Sequence, residues 1–154
     1  YSTLKNGRTI YGGGGIMPDV FVPLDTMEYS NYYRDLVAKG VMTQYCIDYV
    51  DKNRSTLHAQ YPTLQDFDKS FAVSEQMEKD IIAAGERDSV KFKEEEYVKS
   101  KRMINTIVKT LIARDAYSDQ EAYFMVVNHT NEILKQALDI INDDKRYNAI
   151  LKGE

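Results

Sequence analysis

Bond-breaking chemistry needs a nucleophile with a base, a metal with closely spaced ligands, or backbone amides that cradle an anion. The chain offers few side chains of these kinds: two histidines, His58 and His129, and one cysteine, Cys46. Neither histidine has a His, Cys or carboxylate four residues away, so the spacing that puts two metal ligands on one helix face is missing. Both read as surface or core-edge imidazoles. Cys46 falls in the apolar repeat Met42, Tyr45, Cys46, Tyr49, Val50, where a thiol is a small buried hydrophobe. A nucleophilic role would need a neighbouring base and a local positive field.

Serine–lysine chemistry needs a lysine amine stripped of its proton by burial beside the hydroxyl. The sequence pairs are Ser74 with Lys79 and Ser100 with Lys101. Ser74 is better explained as a helix cap, and Ser100 sits in the polar stretch Lys99 to Arg102. The glycine run Gly12–Gly15 suggests a phosphate loop, but Ile16-Met17-Pro18 follows it where a P-loop has Lys-Ser or Lys-Thr and then a helix. A role in backbone shape accounts for the glycines. Two glycosylation-type triplets, Asn53-Arg54-Ser55 and Asn128-His129-Thr130, fall within predicted helices and read as chance. No catalytic residue, metal site or cofactor is expected within the chain.

The elements that would hold such residues are mainly helical. Two short β-like runs, Arg8–Tyr11 and Val20–Val22, flank the glycines and predict a two-stranded ribbon. A lone ribbon is marginal in water, so it reads as the edge of a larger sheet and the chain as a piece of a larger protein. From Thr26 the apolar spacing turns helical. Tyr29, Tyr33, Leu36 and Val37 precede a stop at Gly40, and a second helix carries the Met42 to Leu57 face until Pro62. Thr63 caps a short helix with Leu64 and Phe67. Ser74 caps another with Met77 and Ile81 inward and Gly85 as its terminator.

Two long helices are predicted next. One runs over about 89–114 with Tyr97, Ile104, Val108 and Leu111 inward. The other runs over about 118–142, opening with a capping box of Ser118 and Glu121 and forming a rod of roughly 36 Å. A last turn spans about 145–151. The fold class is therefore mainly α: a multi-helix domain at 26–154, preceded at 1–25 by a short β-hairpin remnant.

Composition narrows the partners. Hydrophobic residues make up 43% and charged residues 29% of 154, a globular balance. The net charge is −4, with Lys and Arg dispersed among acids, so nucleic acid is disfavoured as a partner. No apolar run approaches the roughly 18 residues of a transmembrane helix. With 12 Tyr, 5 Phe and no Trp, the core must use rings whose hydroxyls need partners.

The stretch Gly13-Gly14-Gly15-Ile16-Met17-Pro18-Asp19, followed by Val20-Phe21-Val22-Pro23, resembles the Gly-x-Gly-Ile/Val-x-Pro-Asp segment of the C-terminal processing (tail-specific) serine proteases. Gly7-Arg8-Thr9-Ile10-Tyr11 is similar to the strand that leads into it. The tract from Tyr32-Tyr33 through Tyr49-Val50-Asp51-Lys52-Asn53-Arg54 to Tyr61-Pro62 and Phe67 is similar to the helical extension of versions from Bacteroides-like bacteria.

This resemblance implies a parent that cleaves polypeptides with a serine nucleophile and a lysine base, carries a substrate-binding PDZ module, and is exported to the periplasm or cell envelope. Those catalytic parts lie upstream in the family. The positions that map here are Gly13, Gly15, Ile16, Pro18 and Asp19, with an architectural role. Residues 1–25 are then the last strands of the catalytic core and 26–154 an accessory domain without activity of its own. The alternative is a non-enzymatic helical module that makes a homo-oligomer or docks a protein partner.

Overall fold

The computed structural model describes residues 1–4, 7, 9–10, 12–13, 17–23 and 27–152. Among them are eight α-helices: α1 Asn31–Ala38, α2 Val41–Gln60, α3 Leu64–Ser70, α4 Glu75–Arg87, α5 Glu94–Tyr117, α6 Gln120–Val127, α7 Glu132–Ile141 and α8 Asp144–Lys152. A 3₁₀ turn, Asn128–Thr130, separates α6 from α7. The mainly α expectation holds.

The starts of these helices follow from their caps. Ser30, Thr63 and Ser74 each accept a backbone N–H with the side-chain oxygen, and Thr63 completes a capping box with Asp66. Gly40 joins α1 to α2 at φ +67°, a left-handed angle that glycine adopts without strain.

The chain divides into two compact units, Asp25–His129 and Tyr1–Leu24 with Thr130–Glu154. In the first, the 24-residue α5 is the central helix, packed against α1, α2, α3 and α6, while α2 also packs on α1 and α4. Tyr97, Ile104, Val108 and Leu111 are buried as the periodicity predicts, with Ile112 beside them. They meet Leu36 of α1, Met42, Cys46, Val50 and Leu57 of α2, and Ile81 of α4 in one core.

An aromatic group closes one side of this unit. The Phe67 and Phe71 rings stack at 4.4 Å, with Tyr61 and Tyr117 edge-on to Phe67. The Tyr117 hydroxyl donates to the Tyr61 carbonyl at 2.6 Å. The buried hydroxyls of Tyr32 and Tyr45 have no hydrogen-bond partner among the described residues.

In the second unit α7 and α8 pack on each other. The β expectation is corrected there: the described residues hold a single antiparallel bridge, Ser2 with Thr9, and no strand. Val20–Val22 is not paired into a ribbon, and Arg8 and Tyr11 of the expected partner run lie outside the described residues.

Helix boundaries also differ from expectation, and α5 begins at Glu94 rather than near Ser89. Gly85 lies inside α4 rather than ending it. It is buried, and a Cβ there would stand 3.0 Å from Leu36 Cδ2, so the glycine permits close helix packing. The left-handed residue beyond α4 is Ser89, at φ +65°.

Ser118 is not an N-cap. Tyr117 prolongs α5, Ser118 closes it at φ +51°, and Asp119 caps α6 by accepting the Glu121 N–H at 2.8 Å.

The rod at 118–142 is broken. The polar run Asn128-His129-Thr130-Asn131 offers no apolar face to continue, and Asn131 Oδ1 accepts the Leu134 N–H at 3.1 Å and restarts the helix as α7.

Candidate functional site

The residues able to do chemistry are, in the structure, occupied by structural bonds. Ser74 Oγ accepts the Met77 N–H at the start of α4, as its capping role requires. Ser100 is fully buried on the inner face of α5, against the expectation of a polar stretch. Its oxygen lies 2.6 Å from the Glu28 carbonyl and 2.7 Å from Ser30 Oγ. Each hydroxyl has one proton, so the bonds run in series: Tyr33 N–H donates to Ser30, Ser30 to Ser100, and Ser100 to the Glu28 carbonyl. Lys101 reaches Glu78 at 2.8 Å instead of a serine. Neither serine–lysine pair is assembled as a dyad.

Cys46 is fully buried. Its thiol donates to the Val108 carbonyl, and burial, with Asp115 adding to it, pushes its pKa up to about 12. That is an inert thiol on the apolar face of α2.

The two histidines also have structural partners. His58 Nε2 lies 3.1 Å from the Ala116 carbonyl, which only accepts, so this nitrogen carries the proton and caps the end of α5. His129 Nε2 lies 2.7 Å from Asp68 Oδ2, and Lys109 Nζ donates to the Asp68 carbonyl. Asp68 thus ties α3 to α5 and to the residue that follows α6. The spacing rule that compares residues on one helix could not reveal this pair, because it joins residues 61 apart in sequence.

A notch of about 400 Å³ lies where α2 meets the end of α5. Ile47 and Val50 form its apolar floor, and Asp51, Arg54, Arg114, Asp115, Ser118 and Asp119 form its polar rim. Arg54 Nη1 donates to the Asp115 and Ala116 carbonyls at 2.9 and 3.1 Å, and Arg114 Nε donates to Asp115 Oδ1 at 2.7 Å. The lining has one hydroxyl, Ser118, and no imidazole or lysine amine to take its proton. Such a lining can hold a polar group by hydrogen bonds. Among the described residues no group of three His, Cys, Asp or Glu side chains could hold a metal ion. No helix there is long and apolar enough to cross a membrane.

Of the glycine motif, Gly13 has φ +104°, an angle that side-chain-bearing residues rarely adopt, with open space where a Cβ would stand. Pro18 and Asp19 are exposed. Gly15 and Ile16 lie outside the described residues.

Taken together, these observations define the Asp25–His129 unit as an α-helical body built around α5, with many of its polar side chains used in caps and helix ties. The chain belongs to a family of unknown function (DUF8443), whose model matches residues 32–119. Neither the curated proteins nor the solved structures hold a match to it.

Proposed function

We propose that the chain is the C-terminal portion of a serine-type carboxy-terminal processing endopeptidase of the periplasm or cell envelope. In this reading residues 1–25 continue the catalytic core, and the helices that follow form a non-catalytic accessory domain. The parent's serine–lysine dyad lies upstream, and its substrates are polypeptides. The observation that carries this is the run from Gly13 to Pro23 standing directly before the helical region. The positive φ of Gly13 supports it, since a motif position that demands glycine is what such a segment needs. The bonds made by Ser74, Ser100 and Cys46 support an accessory role for the rest.

Purified chain incubated with an unstructured peptide is expected to give no cleavage by mass spectrometry. Turnover that disappears when one of its own serines is replaced by alanine would overturn the accessory role. The coding sequence ahead of Tyr1 tests the parent: an unrelated domain there sinks the protease assignment. A second reading, a helical interaction module, is favoured by one observation, that neither α7 nor α8 buries a single residue.

A further inference from the structure

The helices α7 and α8 pack on each other and half-bury Leu134, Ile140 and Ile150, yet leave other large apolar side chains in water. Ile133, Leu134, Ala137, Leu138 and Ile141 repeat at i, i+1, i+4, i+5 and i+8, a single stripe along α7. Ile133 is 59% exposed, Leu138 50% and Ile141 62%, and Tyr147 of α8 is 44% exposed. Helices of ten and nine residues are marginal alone in water, and in proteins they are held by the face they bury. This face lacks its other half.

We propose that a second copy of the same helix pair covers it, giving a homodimer with a four-helix contact. The inference rests on the reading of the helical region as an interaction module and is independent of the protease assignment. Two features select a second copy. The first is charge. α7 has two acids, Glu132 and Asp139, against one base, Lys135, for a net −1. α8 has three bases, Lys145, Arg146 and Lys152, against one acid, Asp144, for a net +2. A twofold contact presents the same patch on both sides, and the arrangement that lays α7 of one copy against α8 of the other sets opposite signs face to face.

The second feature is area. The four residues expose on the order of 400 Å² per copy, so pairing removes at most about 800 Å², and the polar rim has to supply the rest of the roughly 1,000 Å² that a specific interface needs. A lipid surface fits less well, because interfacial helices flank the apolar stripe with a strongly basic face, and α7 has more acid than base.

Sedimentation equilibrium of the 154-residue chain over a wide concentration range is expected to show a monomer–dimer equilibrium. Leu138→Asp with Ile141→Asp is expected to raise the dissociation constant about tenfold or more. Should that variant lose helix, charge reversal keeps the test: Lys145→Glu with Arg146→Glu weakens self-association, as does Glu132→Lys with Asp139→Lys. Mixing the two reversed chains is then expected to restore dimers. A wild-type chain that stays monomeric overturns the proposal, as do dimers indifferent to both sets of changes. A monomer that binds an apolar dye through this stripe overturns it too, and assigns the face to a different protein or to another part of a longer chain.

Discussion

Removing the Ser100 hydroxyl would leave the half-buried Glu28 carbonyl without its donor and the buried Ser30 proton without its acceptor. An unsatisfied buried polar group costs about 1–3 kcal/mol, so Ser100→Ala is expected to lower unfolding stability by that amount. Urea titration with an unchanged slope would measure it. A loss below about 0.5 kcal/mol would mean that the series of bonds contributes little. Glu78 makes a second prediction. Burial alone would raise its pKa, but the hydrogen bonds from Lys101 and Asn105, with the Lys101 charge, outweigh it and hold the carboxyl below its ordinary value. A folded pKa below the unfolded one stabilises the fold above the unfolded value, and that contribution is lost as pH falls through the folded one. Glu78→Gln should therefore be less stable than wild type at neutral pH, with the gap closing in acid. Lys101 is about half exposed, so the gap is at most about 1 kcal/mol. Urea midpoints taken across the acid range check this, and a gap independent of pH rejects it.

Which helices form was legible from apolar spacing and caps, because both act within a few residues. The caps at Asp119 and Asn131 were missed, and so was Ser30: Tyr29 drew it into the apolar run, although its oxygen accepts the Tyr33 N–H. What the spacing could not show was contact across elements. Gly85 read as a terminator because a glycine near a helix end is usually that, whereas here Leu36 needs the room. Ser100 read as solvated because Lys99, Lys101 and Arg102 surround it in sequence. Yet it stands three residues after Tyr97 and four before Ile104, on the buried stripe, and that signal could have found it. The candidate site was less legible than the fold, since the ties from Arg54 and His58 to the end of α5 join residues about 60 apart. The break before α7 follows from competition between Asn131 and the backbone, and it makes a prediction at this scale. Asn131→Ala removes the bond to the Leu134 N–H and is expected to cost α7 about 1 kcal/mol. Because α7 buries no residue, circular dichroism should register a local loss of helix, with Ser118 to Val127 unaffected by hydrogen exchange. Protection lost throughout α6 as well would show that the two helices form as one rod after all.

For the molecule as a whole, the distribution of burial decides what can fold alone. Among the described residues, the buried ones run from Ser30 to Val126, all within the Asp25–His129 unit. The family match at 32–119 falls inside the same span. A unit of this size with its own core is within the range of independently folding domains. A chain trimmed to 25–129 keeps the Ser30, Thr63, Ser74 and Asp119 caps, the Asp68 tie to Lys109 and His129, and the Glu78 bonds. It loses α7, α8 and residues 1–24, which contribute no buried side chain among the described residues. The trimmed chain is therefore expected to unfold in one cooperative transition, within a few degrees of the intact chain's main transition. Scanning calorimetry of the two chains is the measurement. A fragment that melts broadly or far below the intact chain would show that α7, α8 or the N-terminal segment contributes to the stability of that core, and the family's helical body would then not be a domain in its own right.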